Sequence, residues 1–432
     1  MSKYVTDFLS LVIVISTITC FHACSFRDPK TPKPAPKEKQ IEKINFFMET
    51  SGSMTGYLHG ATDFSKRIPN LLVSIEGRVD SGKLRLHNYY IADSIVPFNG
   101  STQDFINALA VKPPPGNKSS EMHKIFEMIA QHTGTNDISL FVSDCILSYP
   151  DKVVKANPEI NKYNAEGELK ATLTSAFQEL HRKKKMCATV YGFNSTFIGN
   201  YYTYQNKVIP LAGNVSRPYY LWVIGNRELL TRFNKQISTL ESLQPYTLAM
   251  DFGVFGKAVT ESDILFDYGK KGSWSVDSEM HGLKNVKPSA KEPVVFAVVT
   301  DLSSLPPYAR DTSYLRSHLK TAPTDLKCHI DKILLAENVA GSKLKSGEID
   351  KVKAGTHIFV LRMDDLHQSG QTGLILPLQY DTSYRALSIM DDRKVTDIPG
   401  KTFALEHLID GVRLAYDNSS QHYIDISIPI KK

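Results

Sequence analysis

Oxygen-bearing side chains follow two apolar runs of this 432-residue chain, at the point where each run ends. Glu49, Ser51 and Ser53 come directly after a short apolar run, and Asp144 closes a second run at 138–142. Both runs have the length and composition of buried β-strands. Carboxylate and hydroxyl oxygens suit Mg²⁺ or Ca²⁺, whereas zinc and copper favour nitrogen and sulfur ligands. If the two strand ends meet, these residue types predict a divalent-cation site.

Short motifs of common hydrolytic and metal enzymes are missing from the sequence. It has no C-x-x-C and no H-E-x-x-H, and its 5 cysteines are too scattered for a disulfide framework or a zinc site. The Gly400-Lys401-Thr402 triplet matches the end of a phosphate-binding loop, but Val395 stands where that loop needs glycine. No histidine motif or nucleophile elbow supplies a general base. The pattern favours a binding protein over an enzyme.

Charge gives no support to nucleic-acid binding. The chain has 51 Lys and Arg against 45 Asp and Glu, a formal charge of +6 that is small for this length. The one tight basic run, at residues 182–185, contains no aromatic side chains. A nucleic-acid surface needs a basic face, so we expect this run to cap the exposed end of a helix.

The N-terminal residues predict export and lipid attachment. A basic start precedes the apolar run 8–18, which is too short for a comfortable membrane span and suits a signal peptide. Alanine and Cys24 follow, and this junction resembles the lipobox of bacterial lipoproteins, with Phe21 where leucine is usual. The resemblance implies a signal peptide over residues 1–23 and a lipidated Cys24. Cys20 is an alternative anchor, and a plain signal peptide is another.

The next segment has the composition of a tether. Residues 24–43 are rich in proline and lysine and offer almost nothing to bury. Such a segment is extended and semi-rigid, as is typical of a stalk between a membrane anchor and a folded body. We therefore expect the protein in the bacterial cell envelope, anchored at the outer membrane and facing the periplasm or the surface.

Residues 44–245 alternate between apolar runs and amphipathic segments. The runs predict strands and the segments predict helices, the clearest of them at 44–48, 64–79, 138–142, 166–184, 187–193 and 219–224. This alternation predicts an α/β domain with a mainly parallel sheet covered by helices. The carboxyl ends of parallel strands meet at one edge, where ligands bind. Glu49 and Asp144 are therefore expected to converge.

The second part of the chain has a different texture. Over residues 246–432, strand-like runs such as 294–299 and 357–363 are separated by turn-rich stretches, and the segment 422–428 alternates between apolar and polar residues. Alternation of this kind is typical of a half-exposed strand. We predict a mostly β, sandwich-like C-terminal domain.

One family resemblance can be named on these residues. Glu49, Ser51 and Ser53, spaced E-x-S-x-S after an apolar strand, resemble the D-x-S-x-S start of a von Willebrand factor type A (VWA) domain. The run 140–144 is similar to the strand that delivers a later aspartate in that family, and the turn at 93–94 fits between its second and third strands. The resemblance covers the α/β part, less than half of the chain.

The resemblance implies a VWA or Rossmann-like fold with a metal-ion-dependent adhesion site (MIDAS) for Mg²⁺ or Ca²⁺. A serine at 119 or 120 would replace the family's threonine. The serine hydroxyls would contact the ion directly and the two carboxylates would act through water, while an acidic side chain of a partner completes the coordination. The implied metal-site residues are Glu49, Ser51, Ser53, Ser119, Ser120 and Asp144.

Three functions are compatible with these residues. The first is a binding or adhesion module on a lipid anchor, with a protein as its partner. The second is a structural envelope scaffold with a degenerate metal site, because Glu49 stands where the family has aspartate. The third is a metal-assisted hydrolase that uses Ser51 or a bound water as its nucleophile.

Overall fold

The computed structural model describes residues 39–111, 120–287, 292–323, 326–417 and 421–432. The predicted signal peptide, Cys20, Cys24, most of the tether and Ser119 therefore lie outside the described residues. Lys39–Lys432 form one compact unit. Within the described residues, no helix combines the length and apolar character that crossing a membrane requires.

Strands and helices alternate through the first part of the chain, as the sequence predicts. The elements are β1 (Lys43–Glu49), α1 (Thr55–Leu58), α2 (Asp63–Arg78), β2 (Leu86–Ile91), β3 (Ile95–Pro97), α3 (Thr102–Val111), α4 (Met122–His132), β4 (Asp137–Ser143), α5 (Asp151–Ala156), α6 (Ile160–Asn164), α7 (Lys170–Lys184), β5 (Met186–Tyr202), β6 (Val208–Asn226), α8 (Arg227–Ile237) and β7 (Leu248–Phe252). The chain is therefore a mixed α/β protein over this part.

The central sheet is mixed in direction. Among the described residues it has seven strands in the order β3-β2-β1-β4-β6-β5-β7. The pairs β1–β2 and β1–β4 are parallel, and the other four pairs are antiparallel. The expectation of a mainly parallel sheet thus holds only for β2, β1 and β4. For the pair β5–β6 the reason is the short turn at 203–207, which joins the two strands directly as a hairpin, whereas parallel neighbours need a long crossover.

Helices cover both faces of this sheet. Successive side chains of a strand point to opposite faces, so Phe46 and Phe47 of β1 enter two different cores. On the Phe46 side lie α2, α3 and α8, and on the Phe47 side lie α4, α7 and a helix from the end of the chain. All seven side chains of β4 are buried. The ends of β1 and β4 are therefore held by packing on both sides.

Further β-sheets dominate the second part of the chain, as predicted. The elements are β8 (Asp263–Leu265), β9 (Ser273–Asp277), β10 (Gly282–Lys287), β11 (Val294–Thr300), α9 (Thr312–His318), β12 (Lys320–Thr321), β13 (Cys328–Leu335), α10 (Ser346–Ala354), β14 (His357–Met363), β15 (Gly370–Pro377), β16 (Ser388–Ile389), β17 (Thr402–Phe403), α11 (Leu405–Tyr416) and β18 (His422–Ile430). The sheet β12-β15-β18-β10-β9 and the sheet β13-β14-β11-β8 share one buried apolar core.

The chain returns to the central sheet before its last strand. Helix α11 packs along α7, and a Cβ at Gly411 would lie 2.9 Å from the Lys170 carbonyl oxygen, so the two helices approach closely. Leu408 and Val412 of α11 join the core of the Phe47 face. Two elements from after residue 245, β7 and α11, thus pack in or against this sheet together with the elements that precede them.

Candidate functional site

The predicted site residues that the structure describes come together at one edge of the sheet. Strands β1 and β4 are parallel neighbours, so the residues after Glu49 and Ser143 leave the sheet at the same edge. Ser120 approaches from the segment before α4, where its backbone pairs with Ser148 through hydrogen bonds of 2.8 and 3.0 Å. The Ser120 hydroxyl donates to the Glu49 carboxylate. Three separate segments therefore build one cluster.

The loop after β1 supplies two hydroxyls to the cluster. The oxygens of Ser51 and Ser53 lie 3.1 Å apart in a hydrogen bond. The loop then enters α1, where a Cβ on Gly56 would lie 2.2 Å from the ring of Phe197 in β5. Only glycine allows this close approach, which holds the loop against the long hairpin. The Tyr57 hydroxyl adds a 2.5 Å hydrogen bond to the Pro218 carbonyl oxygen.

The two carboxylates of the cluster are buried and incompletely bonded. Glu49 and Asp144 are each 1% exposed. The Asp144 Oδ1 atom accepts a 3.3 Å hydrogen bond from the Ile146 amide. Glu49 Oε2 and Asp144 Oδ2 are buried and have no hydrogen-bond partner among the described residues. Buried polar atoms are rarely left without partners, so these two oxygens mark a place where a proton, a water or a cation is needed.

Burial and mutual repulsion change the acidity of both carboxyl groups. The pKa of Glu49 rises from 4.5 to about 7, first because burial removes water and then because of the Asp144 charge. The Ser120 hydroxyl, which donates to Glu49, opposes this rise, as do the Ser143 and Ser51 hydroxyls, which lie near the carboxylate without forming a hydrogen bond of good geometry to it. Burial also raises the pKa of Asp144, although Arg217 counteracts it. Burial therefore favours the protonated form of both carboxyl groups, and a positive charge lies nearby.

That positive charge is Arg217, which the sequence did not single out. Its side chain is 0% exposed, and its guanidinium carbon lies 4.3 Å from the centre of the Tyr201 ring. Its Nη1 donates a 2.9 Å hydrogen bond to the Lys401 carbonyl oxygen, while Nε and Nη2 have no hydrogen-bond partner among the described residues. No local sequence signal points to it, because Arg217 lies between Ser216 and Pro218, just before the apolar run 219–224.

A segment from the second part of the chain encloses this arginine. We call residues 391–404 the enclosing segment. Its Asp392 accepts hydrogen bonds from the Tyr201 hydroxyl and, at 2.9 Å, from the Tyr204 amide. Its Gly400 amide donates to the Ser216 carbonyl oxygen at 2.9 Å. The enclosing segment therefore docks on the β5–β6 hairpin and adds a second carboxylate beside Arg217.

The donor set suits a small oxygen-binding cation in its chemistry. The two carboxylates and the three described serine hydroxyls are hard oxygen ligands, which Mg²⁺ and Ca²⁺ prefer. No group of three His, Cys, Asp or Glu side chains in the described part of the chain is placed to hold a metal. Arg217 already supplies positive charge, and none of Glu49, Ser51, Ser53, Ser120 and Asp144 is more than 7% exposed. A partner's carboxylate could contact an ion here only after a rearrangement.

Comparison with models of protein families, with curated proteins and with solved structures found no match to this chain. What the described structure defines is a mixed α/β protein with a closed carboxylate–serine–arginine cluster at the edge of its central sheet. The resemblance to VWA domains stays a prediction from the sequence.

Proposed function

We propose that this protein is a lipid-anchored scaffold of the bacterial cell envelope, and that its α/β part is a VWA-like domain with a closed, internally neutralised MIDAS. The enclosed guanidinium of Arg217 is the observation that carries this proposal. It provides beside Asp144 the positive charge that a metal ion would otherwise supply. The cluster then ties together β1, β4, the hairpin and the enclosing segment, and binding to other envelope components falls to the outer surfaces.

The orphaned oxygens favour a second candidate, metal-dependent binding of a protein partner. Glu49 Oε2 and Asp144 Oδ2 have no partner among the described residues, and two ionised carboxylates would hold Mg²⁺ or Ca²⁺ together with the serine hydroxyls. A metal would have to displace the proton of Glu49, whose pKa is about 7, so its binding would strengthen above neutral pH. An acidic side chain of the partner would complete the coordination once the cluster opens.

Thermal unfolding at pH 8 separates the two candidates. A ligand that binds only the native state at 100 times its dissociation constant adds about 2.7 kcal/mol to the free energy of unfolding. For the scaffold we expect no change in the melting temperature of the detergent-solubilised chain between EDTA and 10 mM Mg²⁺, Ca²⁺ or Mn²⁺. An upward shift that is absent in Asp144→Asn and in Ser51→Ala would overturn the scaffold and establish the metal site.

Lipid attachment is tested at Cys24. We expect Cys24→Ala to move the protein from the membrane fraction to the soluble fraction, because the acyl chains on that sulfur are the proposed anchor. Cys20→Ala is the matched control and should stay with the membranes. Membrane release by the Cys20 variant alone would move the anchor to that residue, and retention of both single variants together with the double variant would contradict lipid anchoring.

A further inference from the structure

A second concave site lies away from the cluster, where the central sheet meets the β-rich part of the chain. A cleft of about 630 Å³ is bounded by β7 and α8 on one side and by residues 303–308 and 421–423 on the other. Its volume is within the range of small-molecule sites. Aromatic side chains form much of its lining, namely Tyr191, Tyr246, Phe255, Tyr308, Tyr380 and Tyr423.

A carboxylate without a cationic partner lies in this aromatic lining. Asp251 of β7 accepts a 2.5 Å hydrogen bond from the Thr189 hydroxyl. Among the described residues, no Lys, Arg or His nitrogen forms an ion pair with it. Burial raises the pKa of Asp251, and the Thr189 hydroxyl offsets part of that rise. A partly buried acid in apolar surroundings is stabilised by a positive charge that reaches it.

Asn234 of α8 adds an acceptor next to this acid. Because the Thr189 hydroxyl donates to Asp251, its oxygen accepts from the Asn234 side-chain amide, at 2.7 Å. The amide orientation is thereby fixed, and Asn234 Oδ1 is left buried and without a hydrogen-bond partner among the described residues. Asp251 and Asn234 both line the cleft, so its wall contains a carboxylate and, just beneath the surface, an unpaired carbonyl oxygen, both of them acceptors.

The aromatic side chains are held in place by their own contacts. The hydroxyl oxygens of Tyr308 and Tyr423 lie 2.7 Å apart in a hydrogen bond, and the rings of Phe255 and Tyr423 pack edge to face with centroids 4.9 Å apart. The rings of Tyr191 and Tyr246 have centroids 5.8 Å apart. Aromatic faces attract cations as well as apolar groups, so this lining complements the acceptors.

We propose that this cleft binds a small organic amine with an apolar or aromatic body. The ammonium group would donate to Asp251 and to Asn234 Oδ1, and the rings would surround the body of the ligand. Exposed Lys235 and Lys257 also line the cleft, and they disfavour a polyamine. Asp251 is the one carboxylate among the described lining residues, so a single ammonium group is the most that it can balance.

Calorimetric titration of the detergent-solubilised full chain with 2-phenylethylamine at pH 7.5 tests the proposal, with 2-phenylethanol as the neutral comparison. We expect the amine to bind at least ten-fold more tightly than the alcohol. In Asp251→Asn this preference should vanish. Asp263→Asn, which removes an exposed acid paired with Lys351 at 3.2 Å, is the matched control and should keep it.

A second variant tests the proposal in case Asp251→Asn does not fold. Tyr246 is 37% exposed, so Tyr246→Leu is expected to fold. The variant loses one aromatic face, and its affinity for the amine should fall more than its affinity for the alcohol. Equal binding of amine and alcohol by the native chain would overturn the proposal, as would an unchanged amine affinity in Asp251→Asn. Binding of N-acetylglucosamine without binding of the amine would assign the cleft to carbohydrate instead.

Discussion

Arg217→Met is expected to lower the free energy of unfolding by about 3–5 kcal/mol at pH 8, the range found when one partner of a buried charge arrangement is removed. The guanidinium is 0% exposed and faces the carboxylates of Asp144 and Asp392. Methionine keeps much of the volume and removes the charge, so both acids lose their counterion. Urea denaturation at constant pH measures the loss.

Arg85→Met is the matched control for this measurement. Arg85 is an exposed arginine whose Nη1 lies 3.7 Å from the Glu76 carboxylate. Exposed ion pairs contribute about 0–1 kcal/mol, so the control should change stability little. In Arg217→Met combined with Asp144→Asn we expect part of the loss to be recovered, because one of the two acids is then neutral. A loss below about 1 kcal/mol in Arg217→Met would contradict a counterion role.

The pH dependence of stability should carry the signature of Glu49. A carboxyl group whose pKa is higher in the folded protein holds its proton there after the unfolded chain has lost it. Its contribution to stability is therefore full below pH 4.5 and is lost as the pH rises through about 7. A rise of this size corresponds to about 3 kcal/mol. Glu49→Gln carries no titrating group at this position. Its free energy of unfolding, relative to that of the native chain, should therefore rise by about 2–3 kcal/mol between pH 5 and pH 8.

The comparison of the two chains at each pH cancels every titrating group that does not interact with Glu49; Asp144 does interact with it, so the difference reports the titration of this pair. Urea denaturation at pH 5, 6, 7 and 8 measures the difference, and Glu179→Gln, at an exposed position of α7, should show no such gain. A difference between Glu49→Gln and the native chain that stays constant over this range would contradict a raised pKa. If 10 mM Mg²⁺ restores the stability that the native chain loses at pH 8, the result supports metal binding and contradicts the scaffold.

The two strands of the cluster were predictable because their surroundings are simple. Every side chain of β4 and six of the seven in β1 are buried, so the sequence shows mainly apolar runs there, interrupted at 44–48 only by Asn45 and at 138–142 only by Ser139. Polar residues at the ends of such runs could be expected to meet, and Glu49 indeed contacts Ser120 and lies near Asp144. The hairpin of β5 and β6 was not predicted, because apolar strands look alike whether their neighbours are parallel or antiparallel.

The sequence by itself determined the alternation of strands and helices, the β-rich second part, and the residue types at the ends of β1 and β4, all of which depend on local patterns of burial. Only the tertiary structure placed Arg217 beside Asp144 and brought Asp392 to Tyr201, a residue 191 positions away. The cleft around Asp251 likewise joins segments that are distant in the chain. Contacts of this kind depend on how whole elements pack. A local sequence pattern therefore does not predict which buried charges will lie next to each other.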